Sequence, residues 1–232
     1  MTYAMADLHG RYDLFRQVLE QIDFSEDDDL YILGDIVDRG PEPVRLLQDL
    51  MERANVFPVM GNHDFMALDT VRRLNVEITA ENCDSYLDLD LMEQSLQWQL
   101  DGGRVTMEQM RSLPPEQRGD LLDYIADFPL YETAETEQGI FVLVHAGLGN
   151  YSPDKKLSEY SLEETAFIRS DPGMQLAEDG VYLITGHTPT LSLTGKAEIL
   201  RQGSHFCIDC GAPFPQGRLA CLCLETLEAI YA

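Results

Sequence analysis

Apolar positions along this chain follow two periods. Short continuous runs, each closed by a glycine or a polar cluster, alternate with stretches whose apolar residues recur every three to four positions. The first pattern is that of buried strands and the second that of amphipathic helices. Tyr3–Ala6 reads as a strand. Leu14, Phe15, Val18, Leu19 and Ile22 then mark one face of a helix that Asp13 is placed to cap. Leu30–Leu33 is the next strand, and Pro41 or Pro43 opens a helix through Leu46, Leu47, Leu50 and Met51. A strand over Asn55–Met60 and a helix over Phe65–Val76 repeat the alternation, which is that of a layered α/β fold.

The stretch from about Glu77 to Leu130 breaks the rhythm and reads as a mostly helical, acidic insert. Trp98 followed by Gly102-Gly103 predicts a tight turn at a helix end, and Leu121, Leu122, Tyr124 and Ile125 fit a further amphipathic helix. Ile140–Val144 is apolar and β-branched, as in a central strand. A polar loop over Tyr151–Tyr160 follows, then Ser161 and Glu164 at capping-box spacing, then a strand at Tyr182–Thr185. Ala197–Leu200, Ser204–Asp209 and Arg218–Leu224 read as antiparallel strands of a second sheet edge or layer. The 232 residues are read as one domain carrying the insert at about 77–130.

Charge narrows the partners. The formal net charge is −25, from 41 acidic and 16 basic residues, a field that repels nucleic acid and anionic membrane surfaces. The sequence shows no signal-peptide pattern and no membrane-spanning run, and its five cysteines do not form a secreted disulfide framework, so a reducing cytoplasm is expected. Cys207, Cys210, Cys221 and Cys223 have a zinc-like spacing, but Cys221 and Cys223 alternate within an apolar run and read as core residues.

The chemistry sits where the strands end. Four of the five histidines, His9, His63, His145 and His187, follow apolar strands in loops that also carry glycine; His205 does not and is read as structural. A lone Asp7-x-His9 is more often a helix cap beside a surface histidine, but five such loops in one chain change that weighting. Asp7, His9, Asp35, Asn62, His145 and His187 together supply oxygen and nitrogen donors for two divalent metal ions, with Asp35 as the natural bridge. Manganese, iron and zinc all suit these donors. Two ions about 4 Å apart would hold and acidify a water between them and clamp a phosphoryl group for in-line displacement. Arg39, and next Arg169, supply guanidinium forks for phosphate oxygens. His63, held by Asp38, can protonate the departing oxygen.

Asp7-Leu8-His9-Gly10, Gly34-Asp35-Ile36-Val37-Asp38-Arg39-Gly40, Gly61-Asn62-His63-Asp64, His145-Ala146-Gly147 and Gly186-His187-Thr188 resemble, in order, the motifs of the calcineurin-like metallophosphoesterase superfamily. The Asp38-Arg39-Gly40 form resembles the phosphoprotein phosphatases, in particular their small bacterial and phage serine/threonine branch. Trp98 with Gly102-Gly103 and Ile208-Asp209 extend the resemblance over nearly the whole chain. Asp64 stands where the family usually has glutamate, Cys210 where it often has threonine, and Phe167-Ile168-Arg169 lacks the family's usual tryptophan.

The resemblance implies a four-layer metallophosphatase fold, a central β-sandwich flanked by α-helices, with the last strands in the second sheet. It also implies a first metal, manganese before iron or zinc, on Asp7, His9 and Asp35. A second would sit on Asp35, Asn62, His145 and His187. His63 with Asp38 would be the acid, and Arg39 and Arg169 would bind phosphate. The implied activity is a phosphomonoesterase for phosphoserine and phosphothreonine proteins or peptides, extending to phosphotyrosine, by direct attack of a dimetal-bound hydroxide. The alternative is a hydrolase of diadenosine tetraphosphate or related nucleotides, whose bacterial members commonly lack the carboxylate matching Asp38. A non-catalytic metal-binding scaffold ranks lower, because no ligand is missing.

Overall fold

A computed structural model of the chain describes residues 1–75, 79 and 89–232. Two five-stranded mixed sheets stack on each other. The first contains β1 (Thr2–Met5), β2 (Asp29–Ile32), β3 (Val56–Pro58), β9 (Ala220–Cys223) and β10 (Ala229–Tyr231) in the order β10-β9-β1-β2-β3. The second contains β4 (Tyr131–Thr136), β5 (Gly139–Val144), β6 (Val181–Thr185), β7 (Leu200–Gln202) and β8 (His205–Cys207) in the order β4-β5-β6-β8-β7. This is the expected central sandwich.

Its central strands are buried on both faces, which is why they read as unbroken apolar runs. Ala4, Leu33, Phe141, Leu143, Ile184, Phe206 and Leu222 form the core between the sheets. One position along, Tyr3 and Met5 point to the other side of the first sheet and join the helical core. Val142, Val144 and Leu183 face outward from the second sheet beneath Leu148, Leu157 and Tyr160. That outer layer is built from the Leu148–Tyr160 loop, which includes a single helical turn at Leu157–Glu159, together with Met174 and Leu176.

Helices α1 (Tyr12–Gln21), α2 (Pro43–Met51), α3 (Asn62–Leu74), α4 (Leu89–Trp98), α5 (Arg104–Ser112) and α6 (Pro115–Ala126) supply the core of the first sheet. The described part of the insert packs into this core, with Trp98, Met107, Met110, Leu122 and Ile125 in one cluster with Phe15, Leu47 and Leu68. Residues 76–78 and 80–88, including the start of the insert and the expected end of the Phe65–Val76 helix, lie outside the described residues. No helix among the described residues is long and apolar enough to cross a membrane.

Several local expectations change. Asp13 does not cap α1; it lies in the first turn and pairs with Arg11 at 2.7 Å, while Arg11 occupies the cap position. α3 begins at Asn62, not Phe65, so Asn62 and His63 stand in a first helical turn. β4 was not expected; it is the half-exposed edge strand of a hairpin with β5. Only β7 and β8 join the second sheet as an antiparallel pair, with β8 parallel to β6. β9 and β10 return to the first sheet, where β9 runs antiparallel to β1. The reason is burial: Cys221 and Cys223 enter the helical core while Leu222 and Leu224 enter the sandwich core, which only a central strand permits. Cys207, Cys210, Cys221 and Cys223 are buried free thiols, and none joins a metal-type donor group among the described residues.

Candidate metal centre and phosphate pocket

β1, β2 and β3 are parallel, as are β5, β6 and β8, so their carboxyl ends open at one edge of the sandwich. The loops leaving them are stitched backbone to backbone: Asp7 N–H donates to Gly34 O at 3.2 Å, His9 N–H to Asp35 O at 2.8 Å and Gly186 N–H to His145 O at 2.7 Å. Asp7, His9, Asp35, Asp38, Arg39 and His187 all have positive φ, between 42° and 73°. Left-handed backbone costs a non-glycine residue roughly 1–2 kcal/mol, so the strain collects on the residues that carry the chemistry. Gly34, at φ +70°, and Gly61 let two of these loops touch. A Cβ on Gly34 would stand 2.5 Å from Gly61 Cα, and one on Gly61 would stand 2.4 Å from Asp35 Oδ1.

Asp35 lies between two donor groups, His9–Asp35–His63 and Asp35–His145–His187, whose ligating atoms lie within 4.8 Å of one another. Its Oδ2 is 3.6 Å from His9 Nε2 and its Oδ1 3.4 Å from His145 Nε2. His145 Nε2 is 2.9 Å from Asn62 Oδ1 and 3.2 Å from His187 Nδ1. The rings are oriented from behind: Nδ1–H of His9 donates to Val37 O at 2.9 Å, and Nδ1–H of His145 to Leu33 O at 2.7 Å. That leaves each Nε2 lone pair facing Asp35. Asp7 is buried at the same edge but stands in neither group; its Oδ2 accepts the His187 amide at 2.9 Å, and His63 takes its place beside His9.

Electrostatics suit cations. Burial pushes His9 down to about 3, and burial with neighbouring His145 does the same to His187. His145 is also lowered by burial, so these imidazoles are neutral and able to ligate. Burial works against ionisation of Asp35, but the imidazoles of His145, His63, His9 and His187 outweigh it and hold the carboxyl below its usual range. Burial, then Asp209 and Asp35, raise Asp7 well above that range, and burial takes Asp209 up to about 7. Neutral buried nitrogens around an ionised carboxylate, with further acids crowded behind, fit divalent metal ions. Asp7 must lose its proton to ligate a cation, so metal binding should release protons increasingly as the pH falls, with none coming from His9 or His187. Calorimetry in buffers of different ionisation enthalpy reads this, and a buffer-independent heat would contradict it.

Asp38 is fully buried. Its Oδ2 meets His63 Nδ1 at 2.7 Å and accepts from Trp98 Nε1 at 2.7 Å, while its Oδ1 accepts from Thr106 Oγ1 at 2.6 Å. Burial opposes charge on His63, but Asp35 and Asp38 outweigh it and raise its pKa. Arg39 donates to Nε2 of His9 at 2.7 Å and of His63 at 2.8 Å, and to Asp101 Oδ1 at 3.2 Å. Those donations require neutral rings. The proton favoured by Asp38 thus competes with Arg39 for His63 Nε2. Arg169 donates to His187 O at 3.1 Å and Thr188 Oγ1 at 2.9 Å, and with Asp35, Arg39, Asn62 and His63 it lines a cavity of about 240 Å³.

Thr106 and Asp101, both within the insert, were not singled out from the sequence. Neither has a local signal; both arrive by long-range packing of α4 and α5 against the Asp35 loop. Asp64 has a supporting role: Oδ1 accepts from Ile36 N–H at 2.9 Å and Val37 N–H at 3.3 Å, and Oδ2 from Gly61 N–H at 3.2 Å. Asp64→Ala should strand these buried amides and cost roughly 2–5 kcal/mol. The denaturant midpoint checks this, and an unchanged midpoint would mean the amides find other partners.

Residues 2–191 match the calcineurin-like phosphoesterase family. The chain belongs to that family. Curated proteins similar to the chain include the symmetrical bis(5'-nucleosyl)-tetraphosphatase of Delftia acidovorans, 34% identical over 98 residues, covering 41% of this chain and 35% of that protein. The enzyme of the same name from Glaesserella parasuis is 30% identical over 151 residues, covering 63% of this chain and 44% of that protein. The chain thus matches less than half the length of these relatives. A provisionally assigned diadenosine tetraphosphatase shares the fold, with a TM-score of 0.68 at 18% identity over 100% of this chain and 92% of that one. A serine/threonine protein phosphatase from Saccharomyces cerevisiae shares it with a TM-score of 0.55 at 12% identity, over 100% and 78%. The family is named for phosphoesterases, and the Asp35-centred donor groups could hold the metal ions of such an enzyme.

Proposed function

We propose that the chain hydrolyses the polyphosphate bridge of diadenosine tetraphosphate or a related dinucleotide. The observation that carries this is the Asp35-centred donor cluster, faced by Arg39 and Arg169, in a chain whose curated relatives are symmetrical tetraphosphatases. Asp35, His9, Asn62, His145 and His187 would hold the cations, with Asp7 completing the set by turning from the His187 amide. Bound divalent ions supply an acidified water and a Lewis-acid clamp on the phosphoryl group.

The rest falls to this chain's own side chains. Arg39 and Arg169 hold phosphate oxygens. As phosphate draws Arg39 away, His63 Nε2 is freed to carry the proton that Asp38 favours. Water attacks an inner phosphorus, the bond to the bridging oxygen breaks, and the departing ADP takes the His63 proton. Arg169→Ala should raise the inhibition constant of inorganic phosphate about tenfold, the worth of a charged hydrogen bond; unchanged inhibition would take Arg169 out of the site.

One observation favours a second reading, a phosphoserine/phosphothreonine phosphatase: a tightly held Asp38–His63 pair is most useful when the leaving group is a strongly basic alkoxide. Manganese-dependent turnover of diadenosine tetraphosphate, phosphoserine and phosphothreonine peptides and a phosphotyrosine peptide separates the two. Fast release of ADP with slow peptide turnover supports the dinucleotide reading; the reverse establishes the phosphatase.

A further inference from the structure

Beside the phosphate pocket lies a cavity of about 660 Å³ between α3 and α4. Phe65, Leu96, Trp98, Leu100 and Phe167 form its apolar wall. Phe65 and Phe167 meet edge to face at 6.2 Å between ring centroids. Leu96 and Leu100 are 58% and 74% exposed, unusual for residues walling a core, so this surface is open to a ligand. The volume lies in the range of small-ligand sites.

Three chain junctions tie this cavity to the reacting centre. Phe65 follows His63 by two residues on α3, Leu100 precedes Asp101, and Phe167 precedes Arg169 by two, each a backbone step of at most about 7 Å. Trp98 joins them directly, lining the cavity while its indole N–H holds Asp38. A group attached to a phosphate held by Arg39 and Arg169 would thus enter it.

Its polar rim is selective. Asp69, Glu93, Gln94 and Gln97 line it, with no lysine or arginine among the described lining residues; Arg73 behind them pairs with Asp69 at 3.7 Å and donates to Gln94 Oε1 at 2.6 Å, which leaves Glu93 and Gln97 as the open acceptors. Carboxylates there repel a second phosphate but accept hydrogen bonds from an amino group or ribose hydroxyls. A neutral, flat, donor-bearing group meets all three demands.

We propose that this cavity is the nucleoside site, with a purine base against Phe65 and Phe167 and its ribose toward the acceptor rim. The assignment rests on the dinucleotide reading above, and it names which part of that substrate sets affinity. Stacking of one base is worth about 1–3 kcal/mol, tenfold or more in affinity. ADP should therefore bind at least about tenfold more tightly than pyrophosphate, which fills only the phosphate pocket.

The test is inhibition of p-nitrophenyl phosphate hydrolysis by the manganese-loaded full chain, at fixed free manganese, with ADP and with pyrophosphate. In the wild-type protein ADP should have the lower inhibition constant by that factor. In Phe167→Ala, and in Leu96→Glu, which alters an exposed side chain and spares the core, the ADP advantage should fall toward one while pyrophosphate inhibition is unchanged. ADP no better than pyrophosphate in the wild-type protein, or an advantage that survives both substitutions, overturns the assignment. If the wild-type ratio is near one and both variants instead lose turnover of an apolar-flanked phosphoserine peptide, the cavity belongs to a peptide side chain and the nucleoside assignment is overturned. Turnover of diadenosine tetraphosphate is scored separately. Its absence beside a nucleoside-dependent ADP advantage would refute the reaction and leave the site standing; its presence with no ADP advantage would do the opposite.

Discussion

Asp35→Asn should abolish both metal occupancy and turnover, with kcat/KM falling on the order of 10³-fold or more. Asp35 is the one residue common to both donor groups. Its two oxygens face different histidines, His9 at 3.6 Å and His145 at 3.4 Å. An asparagine is uncharged, keeps one oxygen and turns a donor N–H₂ toward whatever the other oxygen faced, so both groups lose their only anion. The backbone at φ 51° tolerates the change, because asparagine is among the residues that enter this region most readily. The amide oxygen can still accept the His63 N–H that Oδ1 accepts at 2.9 Å, so α3 keeps its start. Loss of metal with retained near-ultraviolet circular dichroism is therefore the expected pair of results. Elemental analysis showing two full equivalents of metal in the variant, with turnover near the wild-type level, would remove Asp35 from the bridging position.

The residues behind this prediction were visible in the sequence because a strand-end loop is a local object. An apolar run that stops at glycine before Asp35, or at His145, states both the strand and the edge at which its last side chains emerge. Convergence of the five loops needed only the parallel arrangement of β1–β3 and of β5, β6 and β8. What stayed hidden was set at long range. The strand Ala220–Cys223 carries no mark saying that it pairs with β1 rather than β8; burial on both faces decides it. The edge strand Tyr131–Thr136, half-exposed and rich in glutamate and threonine, lacks the apolar run that betrays a central strand. The helix starting at Asn62 was masked by the polarity of Asn62-His63-Asp64, three buried residues whose partners lie on other loops. Thr106 and Asp101 reach the site only because the insert packs into the helical core, a placement no periodicity announces. Substrate choice was hidden for the same reason. The Asp38 carboxylate points toward protein phosphatases, whereas the curated proteins similar in sequence include symmetrical tetraphosphatases.

His63→Asn turns that tension into a measurement, because the loss it causes depends on the leaving group. With a serine alkoxide departing, removal of a positioned acid should cost about 10²–10⁴-fold in kcat. With p-nitrophenolate, a far weaker base, the same substitution should cost much less, since little charge on the leaving oxygen needs a proton. ADP, leaving through a phosphate oxygen, belongs with the weak bases. His63 is suited to the task by what holds it: the Asp38 carboxylate at 2.7 Å from Nδ1, itself braced by Trp98 and Thr106. Metal content should stay near wild type if the cations sit on Asp35, His9, His145 and His187 with Asn62. It should drop if His63, which completes the first donor group with His9, is a ligand in its own right. Equal losses on phosphoserine peptide and p-nitrophenyl phosphate would rule out the general-acid role. A steep loss on the peptide beside a small loss on diadenosine tetraphosphate is therefore the expected pattern, and an equally steep loss on the dinucleotide would show that the departing ADP oxygen depends on the His63 proton as strongly as an alkoxide does.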